Sequence, residues 1–152
     1  MAGAAQSKVA FDMSDVVVFT IASRSFAVRD ALRTLFDHPA LMHLPGDARS
    51  SAELVLAEAL NNIVEHAYDR DDGKIELRLR LSAERLYCDV LDDGAAMPEE
   101  TLPAGNAPTI GKTQDLPEGG YGWFLIRSLT DDLAYKRIGA RNHLSFQLNI
   151  EQ

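Results

Sequence analysis

Glu58 to Tyr68 reads EALNNIVEHAY, and its helical spacing sets an apolar flank against one that carries carboxylates and carboxamides. At ~100° per residue, Leu56, Leu60, Ile63, Val64 and Ala67 cluster on one side, while Glu58, Asn61, Asn62, Glu65 and Asp69 line the other. Glu58 and Asn62 stand one turn apart. A face selected only for helix stability favours Lys, Arg, Gln or Glu, because Asn competes for backbone hydrogen bonds. Two adjacent Asn therefore mark either a binding face or an ordinary solvated one, and the rest of the chain decides which.

Outward from this stretch, Ser50 and Glu53 match a capping box that opens the helix, and DRDDG after Tyr68 makes a polar turn. Upstream, VVVFTIA at 16–22 is a β-branched run suited to a buried strand. Ser23 and Ser25 offer caps for a helix over Ala27 to Phe36, which His38-Pro39 ends, and a loop through Pro45 and Gly46 follows. Downstream, Lys74 to Leu81 alternates Ile75, Leu77, Leu79 and Leu81 with Glu76, Arg78 and Arg80, the pattern of a half-buried strand. Leu86 to Leu91 is its hairpin partner across a turn at SAE. From Asp92 to Gly120 the pattern dissolves into Gly, Pro, Asp and Thr, a loop of a length that compact domains reserve for function or mobility. Tyr121 to Leu129 returns to helix, with Trp123, Phe124, Leu125 and Ile126 as its core residues. Asp132 to Ile138 and His143 to Ile150 form a second hairpin turning at Gly139-Ala140-Arg141. This order predicts an α/β (α+β) two-layer sandwich, with helices on one face of a mixed, mostly antiparallel sheet.

Composition bounds the function. The 152 residues, 46% hydrophobic, match one ordinary domain with a substantial core, with residues 1–15 a flexible leading segment. A formal net charge of -8 argues against nucleic-acid binding by phosphate neutralisation and favours basic protein partners. Cys88, in RLYCDVL, is the single cysteine, so it forms no intrachain disulfide and belongs in the core. The longest apolar run, Val16 to Ala22, is too short to span a bilayer, and Asp12 and Asp15 fall where a signal peptide needs its apolar core. A cytoplasmic location, with no membrane partner, is expected.

Three polar clusters interrupt the framework: the Glu58–Asn62 face, LDDGAAM at 91–97 and EGGYGWFLIRSL at 118–129. Asp92 places a carboxylate at a strand exit, where a ligand's amine edge can be read, although Asp-Asp-Gly is also a common turn. Gly119, Gly120 and Gly122 open a helix, whose N-terminal N–H groups and dipole attract phosphate, although a glycine trio alone also fits a loop terminus.

Taken in order, these segments resemble the nucleotide-binding motifs of the Bergerat-fold superfamily, which includes DNA gyrase, heat-shock chaperone ATPases, histidine kinases and mismatch-repair ATPases. EALNN with EHAY resembles its N box, DDGAAM its first glycine box and GGYGWFLIRSL its second, with an ATP lid over 95–119; the likeness runs from about Ser50 to Leu148. The short chain, the HAY ending and the preceding AVRDALRTL helix most resemble the bacterial anti-sigma-factor serine/threonine kinases. That resemblance implies ATP and Mg²⁺ as cofactors, with Glu58 as the catalytic base or orienting carboxylate and Asn62 as the metal ligand. It implies Asp92 for the adenine amine, Gly94 for close backbone approach, Gly120 and Gly122 for the phosphates, and Met97 and Trp123 as further members of the nucleotide site. It also implies a partner switch, in which a homodimer sequesters a sigma factor and phosphorylates a serine of an anti-anti-sigma antagonist.

The sequence departs from the family at Ala96, where members often carry a second glycine; a requirement for positive φ there would weaken binding. Ala96 is the best support for the rival reading, a non-catalytic module of the same fold, whereas Glu58 argues against it; a free ATPase is a third possibility. Asn142, His143 and Ser145 lie where a polar adenine contact is expected, without one being assignable. GNAPTIGKT at 105–113 imitates a P-loop but has five residues between its glycines where the motif needs four, leaving Lys112 as a lid or solvent lysine. Arg24, Arg29 and Arg33 could face a partner, although exposed helix arginines are usually solvent contacts.

Overall fold

A computed structural model describes residues 16–67, 73–105 and 120–151. The expectations for residues 1–15, for Tyr68 and Asp69, and for lid residues 106–119 with Lys112 and Gly119 lie outside the described residues. Strand β1 (Val16–Ala22) leads into helices α1 (Ser25–Phe36) and α2 (Gly46–His66). The hairpin β2 (Lys74–Leu81) and β3 (Arg85–Asp92) follows, then a 3₁₀ turn at Pro98–Glu100, helix α3 (Gly120–Leu129) and the hairpin β4 (Asp131–Ile138) and β5 (Arg141–Asn149).

The five strands form one sheet in the order β1-β2-β3-β5-β4, and every pairing is antiparallel. The mixed sheet expected from the sequence is thus antiparallel throughout, for a topological reason. Two helices between β1 and β2 return the chain reversed, and the other ladders include two hairpins. The single helix α3 gives β3 and β4 the same direction, but β5 is inserted between them.

Period-2 alternation on β2, β3 and β5 decides which face is covered. Ile75, Leu77 and Leu79, Leu86, Cys88 and Val90, and Leu144, Phe146 and Leu148 all enter the core beneath the helices. Glu76, Arg78 and Arg80 stand on the opposite face. Burial pushes the Cys88 thiol well above its ordinary range, consistent with a packing role. The β1 run, expected to be buried, is an edge strand instead: Ile21 is buried, yet Val18 is 54% exposed.

Helix boundaries differ from expectation where caps were inferred from serines. Arg24 is the N-cap of α1 and makes no side-chain cap bond, while the Ser23 N–H donates to the Gly73 carbonyl at 2.9 Å. Helix α2 starts a turn earlier than Ser50, after Pro45, with Asp47 favourably placed in its first turn. Ser50 and Glu53 are therefore interior, and Glu53 pairs with Arg49 at 2.9 Å on the surface.

The buried stripe of α2 runs through Ala48, Ala52, Val55, Ala59 and Asn62, with Leu56, Leu60 and Ile63 beside it. Asn62, expected on the polar flank, is only 7% exposed. One helical stripe thus supplies both core and site. Leu60→Ala should lower unfolding free energy in urea by about 2–5 kcal/mol, and Leu54→Ala, on the outer side of α2, by under about 0.5 kcal/mol.

Candidate functional site

A cleft of about 480 Å³ opens where the end of α2, the chain leaving β3, the start of α3 and the β4–β5 hairpin converge. Asn62, His66, Asp92, Met97, Trp123 and Asn142 are among its lining residues. A second hollow, about 490 Å³, lies between the α1–α2 connection and the β2–β3 turn, lined by His43, Leu81, Ser82 and Ile150; the nucleotide-like motifs contribute nothing to it.

Asp92 ends β3 and is 5% exposed. Its Oδ1 accepts the Gly94 N–H at 2.9 Å and the Asn142 amide at 2.8 Å. Burial pushes its carboxyl above the usual range, and these two donors pull it back down. Both bonds land on Oδ1, so Oδ2 is the oxygen available to a ligand.

Gly94, expected to let the backbone approach a bound base, packs closely against the end of α2. A Cβ there would sit 2.3 Å from the Ala67 carbonyl oxygen, which also accepts the Ala95 N–H at 2.5 Å. The glycine joins the strand exit to the helix end. Ala96 lines the cleft, and it is not among the positive-φ residues, so its Cβ adds no left-handed strain. Positive φ falls instead at Glu99 and Glu100, just after Met97.

On the other wall, the Asn62 Nδ2 is buried without a hydrogen-bond partner among the described residues. A buried N–H donor left open toward a cleft fits an acceptor atom of a ligand, whereas the oxygen of the same carboxamide is the atom type that holds a cation. One turn earlier, Glu58 meets Gly122 in the first turn of α3: a Cβ on Gly122 would lie 2.5 Å from the Glu58 Oε2. Gly120 begins that helix, so the α3 N-terminus and the Glu58–Asn62 face adjoin. Trp123, 4% exposed, belongs to the core, as expected, and also lines the cleft. His66 is exposed beside Glu65 at the cleft, with 3.4 Å between them.

The start of the long loop is strapped down. The Arg127 guanidinium donates to the Pro103 carbonyl at 2.8 and 3.0 Å. Gly105, with φ +65°, lies where a Cβ would come within 2.8 Å of the Trp123 backbone.

Of the three residues considered on the last strand, Asn142 enters the cleft, whereas His143 lies on the opposite sheet face, its Nε2 2.8 Å from the Asp89 Oδ1. Strand alternation contains that answer: Leu144 and Phe146 point inward, so Asn142 must too, and His143 and Ser145 cannot. Sequence reasoning missed Tyr135 and Arg137. The Tyr135 hydroxyl accepts the Met97 N–H at 3.0 Å and donates to the Asn142 Oδ1 at 2.5 Å. Arg137 donates to the same Oδ1 at 3.0 Å and to the Gly94 carbonyl at 2.7 Å. Neither carried a signal, because β4 shows no clean alternation and their partners come from β5 and from the segment after β3.

The profile of the histidine kinase-like ATPase domain matches residues 21–148, and the chain belongs to that family. It is similar to the serine-protein kinase RsbW of Bacillus mycoides (strain KBAB4), 37% identical over 89 residues, covering 57% of this chain and 56% of that protein. The serine-protein kinase RsbW of Halalkalibacterium halodurans is 36% identical over 86 residues, 55% of this chain and 52% of that protein. The chain thus spans about half the length of these curated relatives. Among solved structures, the Acinetobacter baumannii histidine kinase AdeS superposes with a TM-score of 0.44 at 14% identity, over 90% of this chain and 68% of that one.

Asp92→Asn keeps an oxygen for Gly94 and Asn142 but turns an N–H toward the ligand side. Adenosine nucleotide affinity should fall at least about tenfold by calorimetry. Because burial raises the Asp92 carboxyl, the folded state favours the protonated form and loses that contribution as pH rises through the folded value. The variant should therefore melt higher than the parent at neutral pH, with the gap closing as the pH falls and Asp92 protonates.

Proposed function

We propose that this chain is an ATP- and Mg²⁺-binding anti-sigma regulator that phosphorylates a serine of an anti-anti-sigma antagonist and sequesters a sigma factor in a partner switch. The single observation that carries the reading is the contact of Glu58 with Gly122, which brings a carboxylate to the α3 N-terminus where phosphates would lie. The relatives' name, serine-protein kinase, supports a serine acceptor. We take the whole chain as one domain, 95–119 as its ATP lid, and a cytoplasmic homodimer as its working form. No helix among the described residues is long and apolar enough to cross a membrane.

Each residue then has a task. Asp92 accepts the adenine amine through Oδ2, Met97 and Trp123 form the apolar walls, and Gly94 holds the base-side loop to α2. Gly120 and Gly122 bring backbone N–H groups to the phosphates. Asn62 would hold Mg²⁺ through its carboxamide oxygen, and the ion, when bound, neutralises phosphate charge. Glu58 takes the proton of the partner's serine hydroxyl as that oxygen bonds to the γ-phosphorus; the bond to the β–γ bridging oxygen breaks and ADP leaves. Arg29 and Arg33, exposed on α1, are candidates for the partner-facing surface.

Glu58→Gln should keep ATP affinity within a few-fold while lowering transfer of radiolabelled phosphate to the antagonist by about 100-fold or more. Retained transfer would remove Glu58 from the chemistry. Gly122→Ala should leave the melting temperature nearly unchanged, because its Cβ meets only the end of a flexible side chain, yet slow transfer about 100-fold by displacing the carboxylate.

A further inference from the structure

We propose that Tyr135 is a positioning residue for base recognition: by bridging the Met97 backbone and the Asn142 carboxamide, it holds Asp92 in the orientation that selects a 6-amino purine. This inference rests on the nucleotide reading above and adds to it the determinant of base selectivity.

Asn142 is buried, and its two ends face opposite chemistry. Nδ2 meets three acceptors: the Asp92 Oδ1 at 2.8 Å, the Ala95 carbonyl at 2.9 Å and the Gly94 carbonyl at 3.3 Å. Oδ1 meets two donors, the Tyr135 hydroxyl at 2.5 Å and the Arg137 Nη1 at 3.0 Å. A flipped amide would set oxygen against three acceptors and N–H groups against two donors, so one orientation is selected. Tyr135 fixes the direction of the chain of bonds. Its oxygen already accepts the Met97 N–H at 3.0 Å, which leaves the hydroxyl proton for Asn142. Bonds then run in one sense from Met97 through Tyr135 to Asn142, and from Asn142 to Asp92, each polarising the next.

At the far end, an ionised Asp92 offers an acceptor at Oδ2, which complements an exocyclic amine and opposes a 6-oxo group. Without a well-oriented Asn142 donor, the buried carboxyl takes up a proton more readily, and a protonated Oδ2 would donate to a 6-oxo purine. The relay thus guards the discrimination. It also ties that discrimination to Met97, at the base of the lid.

Calorimetric titration of the full chain with ATP and with inosine triphosphate, at fixed Mg²⁺, tests this with Tyr135→Phe, which keeps the ring and removes only the hydroxyl. The parent should prefer ATP. In Tyr135→Phe, ATP affinity should drop about five- to tenfold while inosine triphosphate stays within about twofold, so that the selectivity ratio falls. A merely structural role would weaken both nucleotides alike; equal loss, or no loss, overturns the inference. A parent that binds ATP without preferring it also overturns the inference, leaving the nucleotide site intact. A parent that binds neither nucleotide overturns the nucleotide reading, and this inference with it. If circular dichroism shows Tyr135→Phe unfolded, Arg137→Met removes the other donor to the same oxygen and must lower the same ratio.

Discussion

The rest of the molecule depends on how α2 lies against the sheet. Its buried stripe of Ala48, Ala52, Val55 and Ala59, with Leu56 and Leu60 beside it, lets the helix settle against the covered face, which carries Leu77, Cys88 and Phe146. Continued by one turn, that stripe delivers Asn62 to the cleft, and Glu58 reaches α3 from the adjacent flank. The burial that stabilises the helix also sets the height and rotation of its polar residues. A core substitution that tilts α2 therefore acts on the site as well as on stability.

Glycine contacts lock this placement at two points along α2. Gly94 lies against the Ala67 carbonyl at the C-terminus of α2, and Gly122 lies against Glu58 in its penultimate turns. Neither contact requires a left-handed backbone, since positive φ among the described glycines occurs at Gly105 and Gly139. What these two positions need is the absence of a Cβ. The same reasoning makes Ala96 tolerable: its φ is ordinary and its side chain faces the cleft.

Electrostatics divides the cleft into two regions. At the Asp92 end, a buried carboxylate is kept usable by donors from Gly94 and Asn142, against the pull of desolvation. Beside Asn62, whose Nδ2 is an unsatisfied donor among the described residues, Glu58 adjoins the N-terminus of α3, a helix end suited to an anion. Apolar walls from Met97 and Trp123 join the two. A ligand with a flat amine-bearing head and an anionic tail complements this sequence of surfaces.

Much of the fold was legible because strong periodicity survives in local sequence. KIELRLRL announces β2, LYCDVL its partner, and LNNIVEH the end of α2, and the N box with both glycine boxes, in their order along the chain, points to the ATPase family that the profile matches. Helix starts were less legible: Ser23, Ser25 and Ser50 were plausible caps, yet Arg24 and Pro45 occupy those positions because packing, not capping, sets where α1 and α2 begin. Asn62 falls on the polar flank of a helical wheel because the wheel records angles within one helix and knows nothing of the cleft that the helix borders. The sequence by itself therefore determined the elements and the covered sheet face, both of which are encoded in spacing along one segment. Only the tertiary structure decided that β5 separates β3 from β4, that β1 is an edge, and that Tyr135 and Arg137 support Asn142 and, through it, Asp92. Those features join residues distant in the chain, and their geometry exists only once the sheet has assembled.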